Sequence, residues 1–336
     1  MSATTTAPAG GSGRRTIAVM ALIPVVVTLA LWAFAWPAAR TAPRDLPIGV
    51  AGPATAVAAV ERGLTRHEGA FEVHRYADAT AARAAIADRD VYGAVVVTPG
   101  GTELLTASAA SPVVAGLLRE AVTAQAPAGT TVRVTDVVAA PAGDPRGAVL
   151  ASSLLPLAMA GAAAGVITTL LGLRGARAAA ALTGAAALAG LVAATFAHTW
   201  LGALEGNWWA EAGVLGLTVL AIGSTFAGLA ALVGRPGLGL GAVLMILIGN
   251  PFSGVSSAPE LLPRAVGAIG GWLPPGAGGS ALRSVSSFDG AAAGGPLLVL
   301  GLWAAAGLTA ILLGGRRLRT EPTTEPAPVK VPAPVG

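Results

Sequence analysis

The sequence predicts an α-helical polytopic membrane protein with six transmembrane helices and an extracytoplasmic α/β domain inserted between helices 1 and 2. Hydrophobic residues make up 54% of the 336-residue chain and charged residues only 11%, whereas soluble domains carry about 25% charged residues. Six apolar segments approach the roughly 20 residues that a helix needs to cross a bilayer. A long, charged segment separates the first of them from the second.

The predicted spans are residues 16–37, 148–172, 178–199, 212–234, 236–250 and 295–315. The fifth follows Arg235 and Pro236 and has only about fifteen apolar residues, so we expect a short or tilted span. Arg14 and Arg15 before the first span also fit a cleaved signal peptide. Its apolar core of about twenty residues exceeds the roughly 7–15 of a signal, which favours an uncleaved anchor.

Arginine and lysine near the span ends predict that both termini are cytoplasmic, because cytoplasmic loops are enriched in these residues. With that orientation the cytoplasmic basic residues are Arg14, Arg15, Arg174, Arg177, Arg235, Arg316, Arg317, Arg319 and Lys330. The opposite short connections carry only Arg264 and Arg283. Residues 1–15 are then a flexible cytoplasmic N-terminus and residues 316–336 a disordered cytoplasmic tail. The alanine, glycine and arginine usage indicates a bacterium, and hence the bacterial plasma membrane.

Residues 38–146 form the predicted extracytoplasmic α/β domain. Short strand-like runs alternate there with helical stretches, which favours a small layered domain. The predicted strands are 46–52, 71–76, 92–97, 103–108 and 131–138, and the predicted helices are 53–66, 77–90 and 111–125. Residues 147–315 are the predicted five-helix transmembrane domain.

Composition and motifs predict no enzyme, no cofactor and no metal site. The chain has no cysteine, and its single lysine, Lys330, lies in the tail. A phosphate-binding loop for ATP needs a lysine after its glycines and is therefore excluded. The formal net charge of +4 follows from membrane topology and not from a nucleic-acid partner. His67 and His74 beside Glu68 and Glu72 are a conceivable metal site, although solvent-exposed side chains are commoner.

A protease and a proton-driven transporter are the other chemistries considered. A protease could use a serine beside a histidine, and the candidates are His198 at the end of the third span and Ser253, Ser256 and Ser257 after the fifth. However, Ser253 lies in PFSGV and not in the G-x-S-x-G turn typical of a nucleophilic serine, which argues against a protease. No charged residue falls in a predicted span core, which argues against proton coupling.

The stretch between the fifth and sixth spans, about 251–290, is broken by prolines and glycines. The Asn-Pro pair at 250–251 predicts the end of the fifth helix, because proline disfavours helix in the residue before it. Residues 261–273 are apolar except for Arg264 and are too few to span. The Pro-Pro-Gly at 274–276 is expected to reverse the chain. We expect a re-entrant or interfacial segment; a plain external loop is the alternative.

A resemblance follows from this order of elements and from two motifs. One span, an α/β domain and five further spans, with NPFSG…LLP…GWLPPGAGGSALR at 250–283 and YGAVVVTPG at 92–100, resemble the permeases of type-2 ABC exporters. The chain is most similar to the branch of phage-infection-protein-like membrane proteins. The resemblance implies a homo- or heterodimer in membrane lipid, with a separate cytoplasmic ATPase that docks on the inner loops.

The resemblance also implies roles for particular residues. The outer gate, or re-entrant segment, would be shaped by Asn250, Pro251, Ser253, Gly254, Pro259, Pro263, Pro274 and Pro275. The residues that would face the ATPase are Arg174, Arg177 and Arg235.

Two functions are therefore expected. The first is the integral membrane permease subunit of an ABC-type exporter, which moves an amphiphilic or drug-like substrate. The alternative is a membrane-anchored binding or assembly protein that acts through its extracytoplasmic domain without an ATPase. The short loop LRGARAA between the second and third spans motivates the alternative, because it has no acidic residue and no room for a docking helix.

Overall fold

The computed structural model describes residues 10–66, 68–125 and 131–317. The chain is mostly helical, as expected of a helical membrane protein. Within these ranges, five helices are long and apolar enough to cross a membrane: Thr16–Ala38, Ala148–Leu170, Gly175–Trp200, Trp208–Val233 and Gly294–Gly314. The first belongs to helix α1 (Gly10–Ala38), which begins inside the predicted flexible N-terminus. Residues 1–9 and the tail 318–336 lie outside the described residues.

After α1 the chain forms an α/β segment, here defined as residues 46–136. Its strands are β1 (Leu46–Ala51), β2 (Phe71–Tyr76), β3 (Gly93–Thr98), β4 (Gly101–Thr106) and β5 (Arg133–Asp136), and its helices are α2 (Ala54–Thr65), α3 (Ala79–Ala87) and α4 (Pro112–Gln125). The strands form one sheet in the order β2-β1-β3-β4-β5. Among the described strand pairs, the β3–β4 hairpin is antiparallel and the other three pairs are parallel. Each predicted strand and helix of this part has an observed counterpart.

Local sequence explains these elements. Asp78 caps α3, because its carboxylate accepts a hydrogen bond from the Ala81 backbone N–H at 2.9 Å. The apolar strand β1 is buried on both faces of the sheet, as is usual for a parallel strand with helices on each side. The sheet therefore has two apolar cores, one under α2 and α4 and one under α3.

The rest of the described chain is helical. Its elements are α5 (Ala148–Leu170), α6 (Gly175–Ala194, extended by a π turn Thr195–Trp200), α7 (Trp208–Val233), α8 (Pro236–Phe252), α9 (Arg264–Gly271), α10 (Pro274–Ser287) and α11 (Gly294–Arg317). Helix α7 is the centre of the bundle: 72% of its apolar window is buried, against 33%, 22% and 28% for α5, α6 and α11. Gly161 lets α5 approach α7, since a Cβ there would lie 2.9 Å from the Val219 carbonyl oxygen.

Helix α8 corresponds to the predicted fifth span and differs from the prediction in two respects. It has at most 17 residues and spans about 25 Å, so the described ranges contain five full-length apolar helices and not six. It also continues through Asn250 and Pro251 and ends at Phe252. A π segment, Val243–Gly249, precedes the proline. The wider π turn accommodates a residue that has no N–H and whose ring crowds the preceding turn.

The broken segment, here residues 253–290, contains one short 3₁₀ turn (Pro259–Leu261), α9 and α10. The Pro-Pro pair at 274–275 was expected to reverse the chain; it instead forms the first turn of α10, where proline is tolerated. The glycines of α10 give a weak helix signal. Close packing on α7 compensates for this low helix propensity. Gly278 allows that close approach, because a Cβ at this position would lie 2.6 Å from the Thr218 hydroxyl of α7.

Candidate functional site

The broken segment packs directly against the α/β segment. Leu261 is fully buried and Ala258 is 1% exposed, and both belong to the same apolar core as Leu46 and Ile48 of β1. On the opposite face of the sheet, Phe288 completes the core under α3. The broken segment therefore supplies side chains to both cores of the α/β segment, in addition to its contacts with the bundle.

Hydrogen bonds fix this junction. The backbone N–H of Ala42 donates to the Leu261 carbonyl at 3.0 Å, and that of Arg44 donates to the Glu260 carbonyl at 2.9 Å. Arg264 forms a bidentate ion pair with Asp45, and this hydrogen bonding lowers the pKa of the Asp45 carboxyl. Both side chains of that pair are at least half exposed, so its contribution to stability is small.

A cavity of about 510 Å³ lies between the α/β segment, the broken segment and the start of α11; we name it the junction cavity. The α/β segment contributes Arg89 and Tyr92 to its wall. The wall also includes Ser253, Pro259, Glu260, Trp272, Arg283 and Leu298. The volume falls within the range of small-molecule sites in proteins.

Two arginines dominate the polar wall of the junction cavity. Arg283 on α10 is 8% exposed and donates to the Val255 carbonyl at 3.0 Å. Burial lowers its pKa to about 10; Glu260 favours its charged form and Arg89 disfavours it. Arg89 donates to the Ser280 carbonyl at 3.1 Å. Burial lowers the pKa of Arg89 as well, so both guanidinium groups occupy a site that disfavours an uncompensated positive charge.

The remaining titratable pair of the cavity is Tyr92 and Glu260. The Tyr92 hydroxyl donates to a Glu260 carboxylate oxygen at 2.8 Å. Burial raises the pKa of Tyr92, so its hydroxyl stays protonated at neutral pH and remains a donor. This hydrogen bond joins the loop that precedes β3 to the 3₁₀ turn and orients the Glu260 carboxylate.

The structure brings only part of the predicted gate to this cavity. Ser253 and Pro259 line its wall, and the Ser253 hydroxyl donates to the Asn250 carbonyl at 2.7 Å. The other predicted gate residues shape the backbone. Gly254 has a φ of 65°, Pro251 lies in the last turn of α8, and Pro263, Pro274 and Pro275 stand at the beginnings of α9 and α10.

The charged residues of the cavity were not predicted as a site. Arg283 stands at the end of the proline- and glycine-rich stretch 250–283, where an arginine that follows a run of small residues was the available signal. Arg89 gave no signal, because its partners Ser280 and Ser284 lie more than 190 positions away along the chain.

The three arginines predicted to face an ATPase, Arg174, Arg177 and Arg235, are all exposed. Arg174 lines a cleft of about 450 Å³ together with Gly234 and Gly314. The α5–α6 loop, the α7–α8 loop and the end of α11 therefore meet at one end of the bundle, here named the Arg174 end.

The residues considered for catalysis do not assemble. His198 Nδ1 pairs with the Glu211 carboxylate at 2.7 Å, and within the described ranges it forms no hydrogen bond with Ser253, Ser256 or Ser257. Glu211 is completely buried in the first turn of α7, one residue before the predicted span 212–234, so it does not lie in that predicted span core.

The residues considered for a metal site are only partly described, because His67 lies outside the described residues. His74 Nε2 is 3.5 Å from a Glu72 carboxylate oxygen, and both side chains are substantially exposed. Within the described ranges, no three His, Cys, Asp or Glu side chains are grouped as metal ligands would be.

No protein-family model, no curated protein and no solved structure matches this chain. The function proposed for this chain is therefore argued from the junction cavity, the Arg174 end and the resemblance in residues 250–283.

Proposed function

We propose that this chain is the permease subunit of an ABC-type exporter in the bacterial plasma membrane, which moves an amphiphilic or drug-like substrate. It works as a homo- or heterodimer and is energised by a separate cytoplasmic ATPase. The α/β segment lies outside the cell and both termini lie inside.

The junction cavity is the observation that carries this proposal. Its wall includes the charged residues Arg89, Arg283 and Glu260 and also the apolar residues Trp272 and Leu298. Such a wall suits a molecule that has a polar end and an apolar end. The cavity is bounded by the broken segment, which is the part of the chain that resembles an exporter gate.

The need for a separate motor follows from the sequence. The only lysine is Lys330 in the tail, and a phosphate-binding loop requires a lysine. At the Arg174 end the exposed arginines surround a cleft, and an ATPase with an acidic docking surface is the partner that they suit.

Co-purification tests the motor. We expect mild-detergent purification from native membranes to recover a stoichiometric ATPase, and the double variant Arg174→Glu, Arg177→Glu to lose it, because reversed charges repel an acidic surface. The matched control is Arg66→Glu, Arg119→Glu, which reverses two exposed arginines of the α/β segment. Retention of the ATPase by the first variant would reject the docking role of these arginines, and absence of any ATPase after crosslinking would reject the exporter.

Cysteine labelling tests the orientation. The chain contains no cysteine, so single substitutions at exposed positions are unique labels. In intact cells we expect a membrane-impermeant maleimide to label Glu120→Cys of α4 but to label Ala176→Cys of α6 only after permeabilisation, because the two positions lie on opposite sides of the membrane. The reverse pattern would place the α/β segment inside the cell.

A binding or assembly protein without an ATPase is the second candidate. An apolar cavity of about 300 Å³ between the sheet and helices α2 and α4, lined by Val60, Phe71 and Leu118 among others, favours it. The test requires the full chain and not residues 42–145 alone, since Leu261 and Ala258 complete the core of that segment. An envelope component that crosslinks to the full chain, with no ATPase present, would favour this candidate.

A further inference from the structure

We propose that the junction cavity binds the anionic headgroup of an amphiphile, whose apolar chain leaves the cavity sideways along the exposed face of α11. The ligand class is a phosphate, sulfate or carboxylate group joined to an alkyl or acyl chain. The inference rests on the proposed function in one respect: it takes this ligand class to be the substrate that the exporter moves. Binding of the ligand requires neither an ATPase nor transport.

The charge of the cavity wall favours an anion. Two guanidinium groups, Arg89 and Arg283, face one carboxylate, Glu260, so one positive charge is left uncompensated. Within the described ranges no carboxylate lies within 4.0 Å of either guanidinium group. Moving an unpaired cation out of water is costly, and a bound anion offsets that cost.

Arg283 has hydrogen-bond donors available for such an anion. A guanidinium group carries five N–H donors, and the Val255 carbonyl is the protein acceptor of only one of its nitrogens. In the described part of the chain, the Thr106 hydroxyl is the one fully enclosed side-chain polar atom without a partner. The spare nitrogens of Arg283 therefore reach accessible space, and Arg283 lines both the junction cavity of about 510 Å³ and a neighbouring cavity of about 30 Å³. Only the larger of the two has room for a headgroup.

The mouth of the cavity is apolar and lies beside a candidate span. Trp272 and Leu298 line the cavity and are nevertheless 69% and 63% exposed, so they mark its rim. Leu302 follows Leu298 by one helical turn on the same face of α11 and is 55% exposed. An apolar chain that leaves the cavity at this rim can continue along α11 within the hydrocarbon layer.

The experiment uses the full-length protein in an uncharged detergent and native mass spectrometry. The probes are dodecyl phosphate, dodecanol and inorganic phosphate. We expect dodecyl phosphate to bind one per chain and more tightly than either of the other probes. The variant Arg283→Gln should weaken its binding about tenfold or more, because a charge-assisted hydrogen bond is lost.

Three variants control this result. Arg283→Lys retains the charge and should weaken binding less than Arg283→Gln. Arg119→Gln removes an exposed arginine of α4 that does not line the cavity and should leave binding unchanged. Ala268→Trp introduces a large side chain at an exposed position of the cavity wall. It should abolish binding with both arginines intact, and it keeps the proposal testable if Arg283→Gln does not fold.

Specific results overturn the inference. Equal affinities for inorganic and dodecyl phosphate would reject an amphiphile, and equal affinities for dodecanol and dodecyl phosphate would reject an anionic headgroup. Equal effects of Arg283→Gln and Arg119→Gln, or full binding by Ala268→Trp, would reject this site. If the chain binds dodecyl phosphate but recruits no ATPase, the exporter is rejected and the headgroup site is kept. If the chain recruits an ATPase but does not bind dodecyl phosphate, the headgroup site is rejected and the exporter is kept.

Discussion

Replacement of Glu211 by alanine is expected to reduce the free energy of unfolding by about 2–4 kcal/mol. The Glu211 side chain is fully buried, and its carboxylate accepts hydrogen bonds from the Gly206 backbone N–H at 2.9 Å and from His198 Nδ1 at 2.7 Å. Alanine leaves both donors without an acceptor at the point where α6, the α6–α7 loop and α7 meet. Thermal unfolding in one detergent should show a decrease in Tm of about 4–8 °C.

Two other substitutions isolate the cause of that loss. Glu211→Gln retains an acceptor oxygen at the same place and should lie between alanine and the wild type. Glu205→Ala removes an exposed glutamate six positions earlier, whose carboxylate accepts only a 3.3 Å hydrogen bond from the Ala142 backbone, and should change the free energy of unfolding by less than about 1 kcal/mol. Equal losses for Glu211→Ala and Glu205→Ala would show that the buried hydrogen bonds are not needed for stability.

The α/β segment was largely predictable, because its local signals agree with its structure. Short strand-like runs such as 71–76 alternate with helical stretches, and Asp78 is a typical helix cap. The helical membrane character was also predictable from composition alone. These features depend on residues that are close together in the sequence.

The features that escaped prediction depend on distant residues. Helix α10 begins with two prolines and contains three glycines in its first six residues, and it is helical because α7 packs against it. Glu211 was placed just before a span, whereas α7 begins at Trp208 and buries it. Arg89 and Arg283 both line the junction cavity although they lie in different parts of the chain, before β3 and near the end of the broken segment. No local sequence pattern encodes that they come together.

Replacement of Leu261 by alanine is expected to reduce the free energy of unfolding by about 2–5 kcal/mol. Leu261 is completely buried among Leu46, Ile48 and Leu104 of the sheet, so truncation leaves a cavity in a core that two parts of the chain share. The junction between the broken segment and the α/β segment should loosen. Hydrogen exchange followed by mass spectrometry should therefore show faster amide exchange in β1 and in the 3₁₀ turn.

The neighbouring residue provides a matched control for Leu261→Ala. Leu262 is also buried, but it packs in a different cluster with Phe252 and Val266, next to Trp36 of α1. Leu262→Ala removes the same atoms and should accelerate exchange at the end of α8 and in α9 while β1 remains protected. If both variants accelerated exchange in β1 equally, the two leucines would act as one core. If only Leu261→Ala does so, the two sides of the 3₁₀ turn hold the α/β segment and the bundle separately, and the wall of the junction cavity depends on both.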